Sequence, residues 1–260
     1  MFVDKFGKVV QSTPILRNLL FPVVTHLWKE REERFRRYCR ELPKLVPEPF
    51  FVKIGANDGI TGDPCSDILL GNASWKGLLV EPVPYCFARL RTAFPDSQRF
   101  RLEQVAIGAS AGDATFYYVD SKARTSIRDL PPWFDQLGSF DKNHIIKHLN
   151  GVLAPFIVES KVRVCPLSEV LERNQIQDVH LLHIDTEGYD YEVLKTLDFA
   201  KHAPLSIFVE HKHLSLTHKR QMLALLREHG YSVSDCGEDY FAVHTETNKC
   251  LQRAARSALR

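Results

Sequence analysis

The sequence lacks a strong excess of either charge. Its 260 residues include 34 basic and 32 acidic side chains, which gives a net charge of +2. So small an excess gives no reason to expect binding to nucleic acid through bulk electrostatics. The hydrophobic share of 44% is that of a globular protein with a core. We therefore expect a globular protein without a nucleic-acid partner.

Closely spaced cysteines are also missing. The six cysteines are scattered along the chain, at Cys39, Cys65, Cys86, Cys165, Cys236 and Cys250. A thiolate zinc site or a thioredoxin-like centre would show a CxxC pattern. Isolated cysteines are typical of reduced, buried thiols, and they predict a cytoplasmic protein.

The first part of the chain lacks a secretory pattern and an apolar run long enough to span a bilayer. Residues 15–28 are fairly apolar, but Arg17 and Pro22 interrupt them. Roughly helical spacing relates a set of larger apolar side chains, Trp28, Phe35, Tyr38 and Leu42. We predict that residues 1–49 form a helical segment that docks on the rest of the protein. Contact with a membrane surface is the less favoured alternative.

Strand and helix patterns alternate from residue 50 onwards. The proline-rich string LPKLVPEP precedes the strand FFVKIG, and further strands are predicted at KGLLVEP, FRLEQVAIG, KVRVC, VHLLHIDTEG and LSIFVEHKH. Such alternation predicts an α/β fold with a mostly parallel sheet flanked by helices. YSVSD and YFAVH read as a terminal antiparallel pair. We predict a single domain over residues 50–250.

Residues 121–160 interrupt this regular alternation. They contain several prolines and glycines and one short helical pattern near residues 142–149. A long irregular stretch inside a compact domain is typically functional. We predict that it is a lid or a substrate-binding insertion.

The string GANDG follows the first predicted strand. Gly55 and Gly59 allow a tight turn whose backbone N–H groups can approach a ligand. A dinucleotide-binding loop requires the pattern G-x-G-x-x-G, and Asn57 occupies its middle glycine position. The spacing therefore favours a nucleoside with an amino-acid tail over NAD. A tight turn without a ligand is the alternative.

Two later strand ends support a nucleoside site. Glu81 ends the second strand, 22 residues after Gly59, where an acid can accept hydrogen bonds from a ribose diol. Ala106 and Gly108, at the end of the string QVAIG, leave space for an adenine ring. The pair formed by the glycine loop and the acid indicates nucleoside binding better than either feature alone.

Acidic and histidine side chains follow two further strands. Asp185 ends one strand and precedes Glu187 and Asp190, whereas Glu210 and His211 end another. Such groups can hold a cation, orient an ammonium group or act as a base. Stabilisation of a helix N-terminus is the simpler explanation for Glu187 and Asp190.

Taken together, these strings resemble one enzyme family. FVKIGANDG, LLVEP, VAIG, LLHIDTEGYDYEVLKTL and IFVEHKH occur in the order and spacing of the FkbM-type methyltransferases. The resemblance covers about residues 50–244 and implies a class I, Rossmann-like methyltransferase fold. It also implies S-adenosylmethionine as the cofactor.

The resemblance further implies roles for individual residues. The expected cofactor-binding residues are Gly55, Ala56, Asn57, Asp58, Gly59, Glu81, Val105, Ala106 and Asp185. The expected catalytic residues are Asp185 and His211, with Glu210 facing the acceptor. Ser126, in the string TSI, is a weaker candidate.

Lys53 departs from the family pattern. Family members usually carry an acid two residues before the first glycine, where this chain has Lys53. Asp58 and Asp63 are the two acids available to compensate. A catalytically inactive, methyltransferase-like scaffold is therefore an alternative function, and an NAD-dependent oxidoreductase is a less favoured one.

The expected reaction is O-methylation of a small-molecule hydroxyl, in a sugar or a sugar-bearing natural product. Asp185 with His211 would remove the hydroxyl proton, or Asp185 with Glu210 would hold a magnesium ion that acidifies the hydroxyl. The sequence leaves both routes open, together with self-association into a homo-oligomer. It does not assign a set of metal ligands.

Overall fold

The computed structural model describes residues 32–246. Its helices are α1 (32–41), α2 (Ser66–Gly71), α3 (Pro84–Ala93), α4 (Ala123–Ser126), α5 (Lys142–Lys147), α6 (Leu167–Arg173), α7 (Asp190–Leu194) and α8 (Leu216–Glu228). Its strands are β1 (Phe50–Ile54), β2 (Lys76–Val80), β3 (Phe100–Glu103), β4 (Ala106–Ile107), β5 (Gly112–Val119), β6 (Ile157–Cys165), β7 (Leu181–Ile184), β8 (Ser206–Glu210), β9 (Tyr231–Asp235) and β10 (Asp239–His244). Short 3-10 helices cover Leu42–Lys44, Pro132–Asp135, His148–Gly151 and Ala154–Phe156.

The main sheet has seven strands in the order β3-β2-β1-β7-β8-β10-β9. The first five strands in this order, β3, β2, β1, β7 and β8, are parallel. Strand β10 is antiparallel to both β8 and β9. The predicted α/β fold of the class I methyltransferase type, with a terminal antiparallel pair, is confirmed. The carboxyl ends of β1, β2, β7 and β8 therefore meet at one edge, where ligands bind in such sheets.

The central strands are apolar on both faces because helices cover both sides of the sheet. Val52 and Leu182 belong to the core on one face, and Phe51 and Phe208 to the core on the other. All five residues of β8 are buried. This packing makes the strands a rigid support for the residues at their ends.

A second sheet of three strands, in the order β4-β6-β5, lies beside the main one. The sequence predicts one strand for FRLEQVAIG, but the structure divides it between β3 of the main sheet and β4 of the second. The string KVRVC likewise belongs to β6, which is antiparallel to β5. An apolar pattern is the same whichever sheet a strand joins, so periodicity does not show this transfer.

The described part of the amino-terminal segment packs on the main sheet. Phe35 in α1 stacks on Phe208 with ring centroids 3.9 Å apart. Leu42 is buried in the same core as Phe35. Residues 1–31, including the apolar stretch 15–28, lie outside the described residues. Within residues 32–246, no helix is long and apolar enough to cross a membrane.

Residues 121–160 link β5 to β6 and carry a small core of their own. This core includes Leu130, Phe134, Leu137, Ile145 and Leu153. The segment is therefore a packed insertion attached to the second sheet. The division of the chain into an amino-terminal segment, a domain and this insertion stays a prediction.

Candidate functional site

A cavity lies between the carboxyl ends of the parallel strands and the inner side of the insertion. It comprises about 870 Å³ of space, part of which is open to solvent. From the main sheet and its loops it is lined by Lys53, Gly55, Asn57, Glu81 and Asp185, among others. From the insertion it is lined by Asp135, Gln136, Gly138, Ser139 and Phe140. We call it the main cavity.

Glu81 lies at the wall of the main cavity and is almost fully buried. Its two carboxylate oxygens accept hydrogen bonds from the backbone N–H groups of Asn57 and Val83, both at 2.8 Å. Burial raises the pKa of Glu81 to about 7, against these two hydrogen bonds. The carboxylate thus fixes the glycine loop and retains lone pairs for a ligand.

Gly55 brings the glycine loop against the end of β7. Its φ is +75°, and a Cβ atom there would lie 1.7 Å from the backbone oxygen of Asp185. Only glycine fits this close approach in this conformation. The first predicted cofactor residue therefore also sets the position of Asp185 relative to β1.

The structure brings Gly55 and Asn57 to the main cavity but leaves the other three residues of the GANDG string out of its lining. Ala56 is buried in the apolar core. The Asp58 carboxylate accepts hydrogen bonds from the N–H groups of Ile60 and Thr61, which lowers its pKa against burial. At Gly59 a Cβ would collide with the Phe94 ring, 2.4 Å away. These three residues shape the loop from outside the cavity.

Apolar residues form the wall of the main cavity beside Glu81. Val105 and Ala106, both predicted, line the cavity together with Ile107 and Phe116. The break between β3 and β4 places this wall there, because β4 leaves the main sheet at this point. Ser126, in contrast, is an exposed residue of α4.

Sequence reasoning missed the cavity residues of the insertion. Asp135 is buried and pairs with Arg89 of α3 at 2.6 Å. The Gln136 side chain donates a hydrogen bond to the backbone oxygen of Thr61 at 2.6 Å. These two contacts fasten the insertion to α3 and to the glycine loop. No local pattern in residues 121–160 signals them, since each joins residues far apart in sequence.

Lys53 pairs with Asp63, and both side chains are buried. Asp63 also accepts hydrogen bonds from the N–H groups of Cys65 and Ser66, at the start of α2. Burial lowers the pKa of Lys53. The lysine that departs from the family pattern is thus matched by an acid from the same loop, and Asp63 is the compensating residue.

Asp185 separates the main cavity from a second, acidic one. It lines both, as do Gly62 and Asp63. The acidic cavity is also lined by Glu32, His183, Phe208, Glu210, Glu238 and Asp239. Asp185 therefore stands where a ligand in one cavity would meet a ligand in the other.

The carboxyl groups around Asp185 repel one another in a poorly solvated place. Burial, with Glu187 and Asp190 nearby, raises the pKa of Asp185 well above its usual range. Burial and the charge of Asp185 raise the pKa of Glu210 to about 12, and burial raises that of Asp239 to about 7. Oxygen atoms of Asp185, Asp190 and Glu210 all lie within 4.8 Å of one another. Such a cluster retains protons or attracts a cation.

Asp190 and His211 have surroundings of their own. Asp190 is fully buried and accepts hydrogen bonds from the N–H groups of Thr186 and Gly188, so it holds the loop after β7. His211 packs its ring on Tyr240 at 3.9 Å, with Nδ1 3.2 Å from the Lys219 ammonium. His211 lines neither cavity. The structure thus brings Glu210, and not His211, to the acidic cavity beside Asp185.

One family model matches most of this sequence. The family model of the methyltransferase FkbM domain matches residues 53–233, which include every residue that lines the main cavity. The chain belongs to the FkbM methyltransferase family. Among curated proteins no significant match to the sequence is found.

Two solved structures match this chain at low sequence identity. An FkbM methyltransferase from Methylobacillus flagellatus KT is 13% identical, with a TM-score of 0.45 over 75% of this chain and 43% of the other. The present chain therefore spans less than half of that relative. Fibrillarin from Aeropyrum pernix, solved with S-adenosyl-L-methionine, is 12% identical, with a TM-score of 0.37 over 79% of this chain and 71% of the other. The family assignment comes from the domain match.

Proposed function

We propose that this FkbM family member transfers a methyl group from S-adenosylmethionine to a hydroxyl of a small molecule, such as a sugar or a sugar-bearing natural product. The observation that carries the proposal is the position of Asp185 between two cavities, one with nucleoside-binding features and one lined by acids. A methyl transfer needs donor and acceptor on either side of one point.

The residues of the main cavity fit the cofactor. Gly55 lines the cavity without a side chain, since a Cβ there would overlap the Asp185 backbone oxygen, and Glu81 offers a buried carboxylate beside it. In the proposed assignment, Gly55 and Asn57 hold the amino-acid end, Glu81 the ribose, and Val105 with Ala106 the adenine. Bound there, S-adenosylmethionine would supply a methyl group already activated by its sulfonium.

The protein's own contribution is to orient the acceptor and to remove its proton. In the proposed mechanism the ionised form of Asp185 accepts the proton of the acceptor hydroxyl. Burial raises the pKa of Asp185, which makes this carboxylate a stronger base than a solvated one. Glu210, protonated at neutral pH, would donate a hydrogen bond to the acceptor from the acidic cavity.

A divalent cation held by Asp185 and Glu210 is the competing route. Their oxygens are close enough to share an ion with Asp190. The Asp190 oxygens, however, already accept two backbone N–H groups, which leaves two strong carboxylate ligands. We therefore favour proton removal by Asp185 without magnesium. The cation route is the alternative, and a chelator test distinguishes the two.

The insertion is proposed to cover the reacting groups. Its residues Asp135, Gln136 and Phe140 line the main cavity opposite the sheet. Contacts from Asp135 and Gln136 to the main domain hold it in place. A cover of this kind excludes water from the donor and leaves acceptor choice to the insertion.

Calorimetric titration with S-adenosylhomocysteine and with NAD tests the proposal. We expect binding of S-adenosylhomocysteine and none of NAD, because Asn57 replaces the glycine that a dinucleotide loop needs. Binding of NAD alone would indicate an oxidoreductase. Binding of neither would favour a scaffold that has lost the cofactor.

A further inference from the structure

Four metal-ligand side chains meet where the insertion contacts the domain, at the rim of the main cavity. His144 and His148 come from the insertion, Glu187 from the loop after β7, and His213 from the loop after β8. One candidate ligand atom from each lies within 4.8 Å of the others. We call these four residues the histidine cluster.

The insertion presents its two histidines on one side. His144 lies in α5 and His148 follows its end, one helical turn later. Their ring centroids are 4.8 Å apart. Leu149 and Asn150 then adopt left-handed φ values of 49° and 54°, so the chain turns away directly after His148. The turn leaves both imidazoles facing the domain.

The domain side of the cluster is held rigidly. Glu187 has a left-handed φ of 54°, in the loop that Asp190 fixes through two backbone N–H groups. At Gly188 a Cβ would lie only 3.2 Å from the Cβ of His213, so a glycine there lets the two loops approach. The strained loop therefore serves to place Glu187 beside His213.

The contacts within the cluster leave ligand atoms free to face a common point. Glu187 Oε2 lies 3.2 Å from His213 Nε2 and 3.6 Å from His144 Nε2. The buried Nε2 of His144 has no hydrogen-bond partner among residues 32–246. Ring centroids of His144 and His148 are 5.3 and 5.5 Å from that of His213. Three imidazoles and one carboxylate thus converge from three segments of the chain.

We propose that the histidine cluster binds zinc or a neighbouring divalent transition-metal ion, which links the 121–160 insertion to the methyltransferase domain. We call this link the clasp. Imidazole-rich sites select zinc and neighbouring transition metals, whereas magnesium and calcium prefer oxygen ligands. Four protein ligands fill a tetrahedral site, as in zinc sites of structural type. Because Glu187 also lines the main cavity, the ion fixes one wall of that cavity. The proposed ion site does not depend on the identity of the acceptor. It adjoins the acids around Asp185, since His213 Nε2 lies 3.7 Å from Glu210 Oε1.

Metal binding by the intact chain is the primary test. After treatment with chelator and its removal, the protein is mixed with excess Zn²⁺, desalted, and analysed for metal; we expect about one zinc per chain. Loading with Co²⁺ instead should give the intense visible absorption of a four-coordinate ion, without the thiolate charge-transfer band that a cysteine site would add. A chain that retains no zinc, or that shows the thiolate band, overturns the proposal.

Variants assign the ion to the cluster. We expect His144→Ala and His148→Ala each to weaken zinc affinity by at least about 100-fold, since even outer-shell changes cost about 10 to 100-fold. The matched control is His218→Ala, in α8 and outside the cluster, which should bind zinc as the wild type does. Unchanged affinity in both cluster variants would overturn the assignment.

Limited proteolysis tests the clasp itself. Zinc should slow cleavage within residues 121–160 in the wild type and in His218→Ala, but not in His144→Ala. Magnesium at the same concentration should give no protection. If a cluster variant fails to fold, the cobalt spectrum of the wild type still shows whether it binds the ion. Zinc-dependent protection of the wild type still shows whether the ion holds the insertion. Zinc binding without protection of the insertion would refute the clasp.

Discussion

The Lys53 ammonium contacts the Asp63 carboxylate inside the protein, where side-chain exposures are 7% and 2%. Lys53 is the fourth residue of β1, and Asp63 comes from the glycine loop that follows this strand. The pair connects the strand to the loop that forms one wall of the main cavity. Asp185, which lines the same cavity, also favours the charged form of Lys53.

Lys53→Met should destabilise the protein strongly, because it leaves the Asp63 charge buried without a partner. We expect a loss of about 3–5 kcal/mol in the free energy of unfolding, measured by urea denaturation. The double variant Lys53→Met with Asp63→Asn removes both charges and keeps an oxygen for the N–H groups of Cys65 and Ser66. It should regain much of the loss. Purely additive effects in this cycle would show that the two groups do not interact.

Lys53→Asp is a sharper test of why this chain has a lysine where family members usually carry an acid. It restores the acid common in the family but places two carboxylates against each other, since Asp63 stays buried there. We expect a lower free energy of unfolding. We expect no gain in affinity for S-adenosylhomocysteine, which calorimetry measures. A variant that binds when the wild type does not would support the inactive-scaffold alternative.

Cofactor binding should depend on pH through Glu81. Its pKa is raised to about 7 by burial, and a ribose diol donates hydrogen bonds to the ionised form. Affinity for S-adenosylhomocysteine should therefore fall by up to about tenfold per pH unit below pH 7 and level off above it. Glu81→Gln should lose about 1.5–3 kcal/mol of affinity at pH 8 and flatten the profile.

The matched control for this experiment is Glu159→Gln, because Glu159 is exposed. The structure also predicts that Glu81→Gln lowers stability, because one backbone N–H, of Asn57 or Val83, loses its acceptor. Affinity is therefore compared only at temperatures where thermal unfolding shows both variants folded. A pH profile like that of the wild type in Glu81→Gln would remove Glu81 from the site.

Folding stability should decline as pH rises because of Asp239. Burial raises its pKa from 3.8 to about 7, so between these values the folded chain keeps a proton that the unfolded chain has released. The contribution is fully present below pH 4 and is lost as pH rises through 7. Asp239→Asn should make the decline shallower by up to about 1.4 kcal/mol per pH unit. Urea denaturation from pH 4 to 8, with chelator present, measures this slope; a slope equal to that of the wild type contradicts the argument.

Asp185→Asn should separate binding from catalysis. It removes the proposed base while the backbone oxygen that contacts Gly55 stays. We expect methyl transfer to fall by about 10² to 10⁴-fold with S-adenosylhomocysteine affinity nearly unchanged. Wild-type activity should persist in chelator. Activity that chelator abolishes and magnesium alone restores would instead establish the cation route through Asp185 and Glu210.

Gly55→Ala tests the close approach of β1 to β7. The added Cβ would overlap the Asp185 backbone oxygen, and the φ of +75° disfavours any side chain. We expect loss of S-adenosylhomocysteine binding and a lower melting temperature. Gly71→Ala is the control, because nothing lies within 4 Å of a Cβ there. Equal behaviour of the two variants would rule out the contact as a determinant of the site.

The sequence by itself determined the parallel strands β1, β2, β7 and β8 and the residues at their ends. Apolar runs such as that of β8 must be buried on both faces, and the alternation with helices forces a parallel sheet. Parallel strands present their carboxyl ends at one edge, so the sequence alone places Gly55, Glu81 and Asp185 together, and all three line the main cavity. These are local patterns, and local patterns are readable from the chain.

Only the tertiary structure decided which distant side chains meet. Lys53 with Asp63, Arg89 with Asp135, and the four members of the histidine cluster come from separate segments. His211 follows Glu210 directly, yet the two side chains leave the strand in different directions and only Glu210 reaches a cavity. Pairing across loops depends on packing and on backbone turns with left-handed φ values, and neither leaves a periodic signal in the sequence.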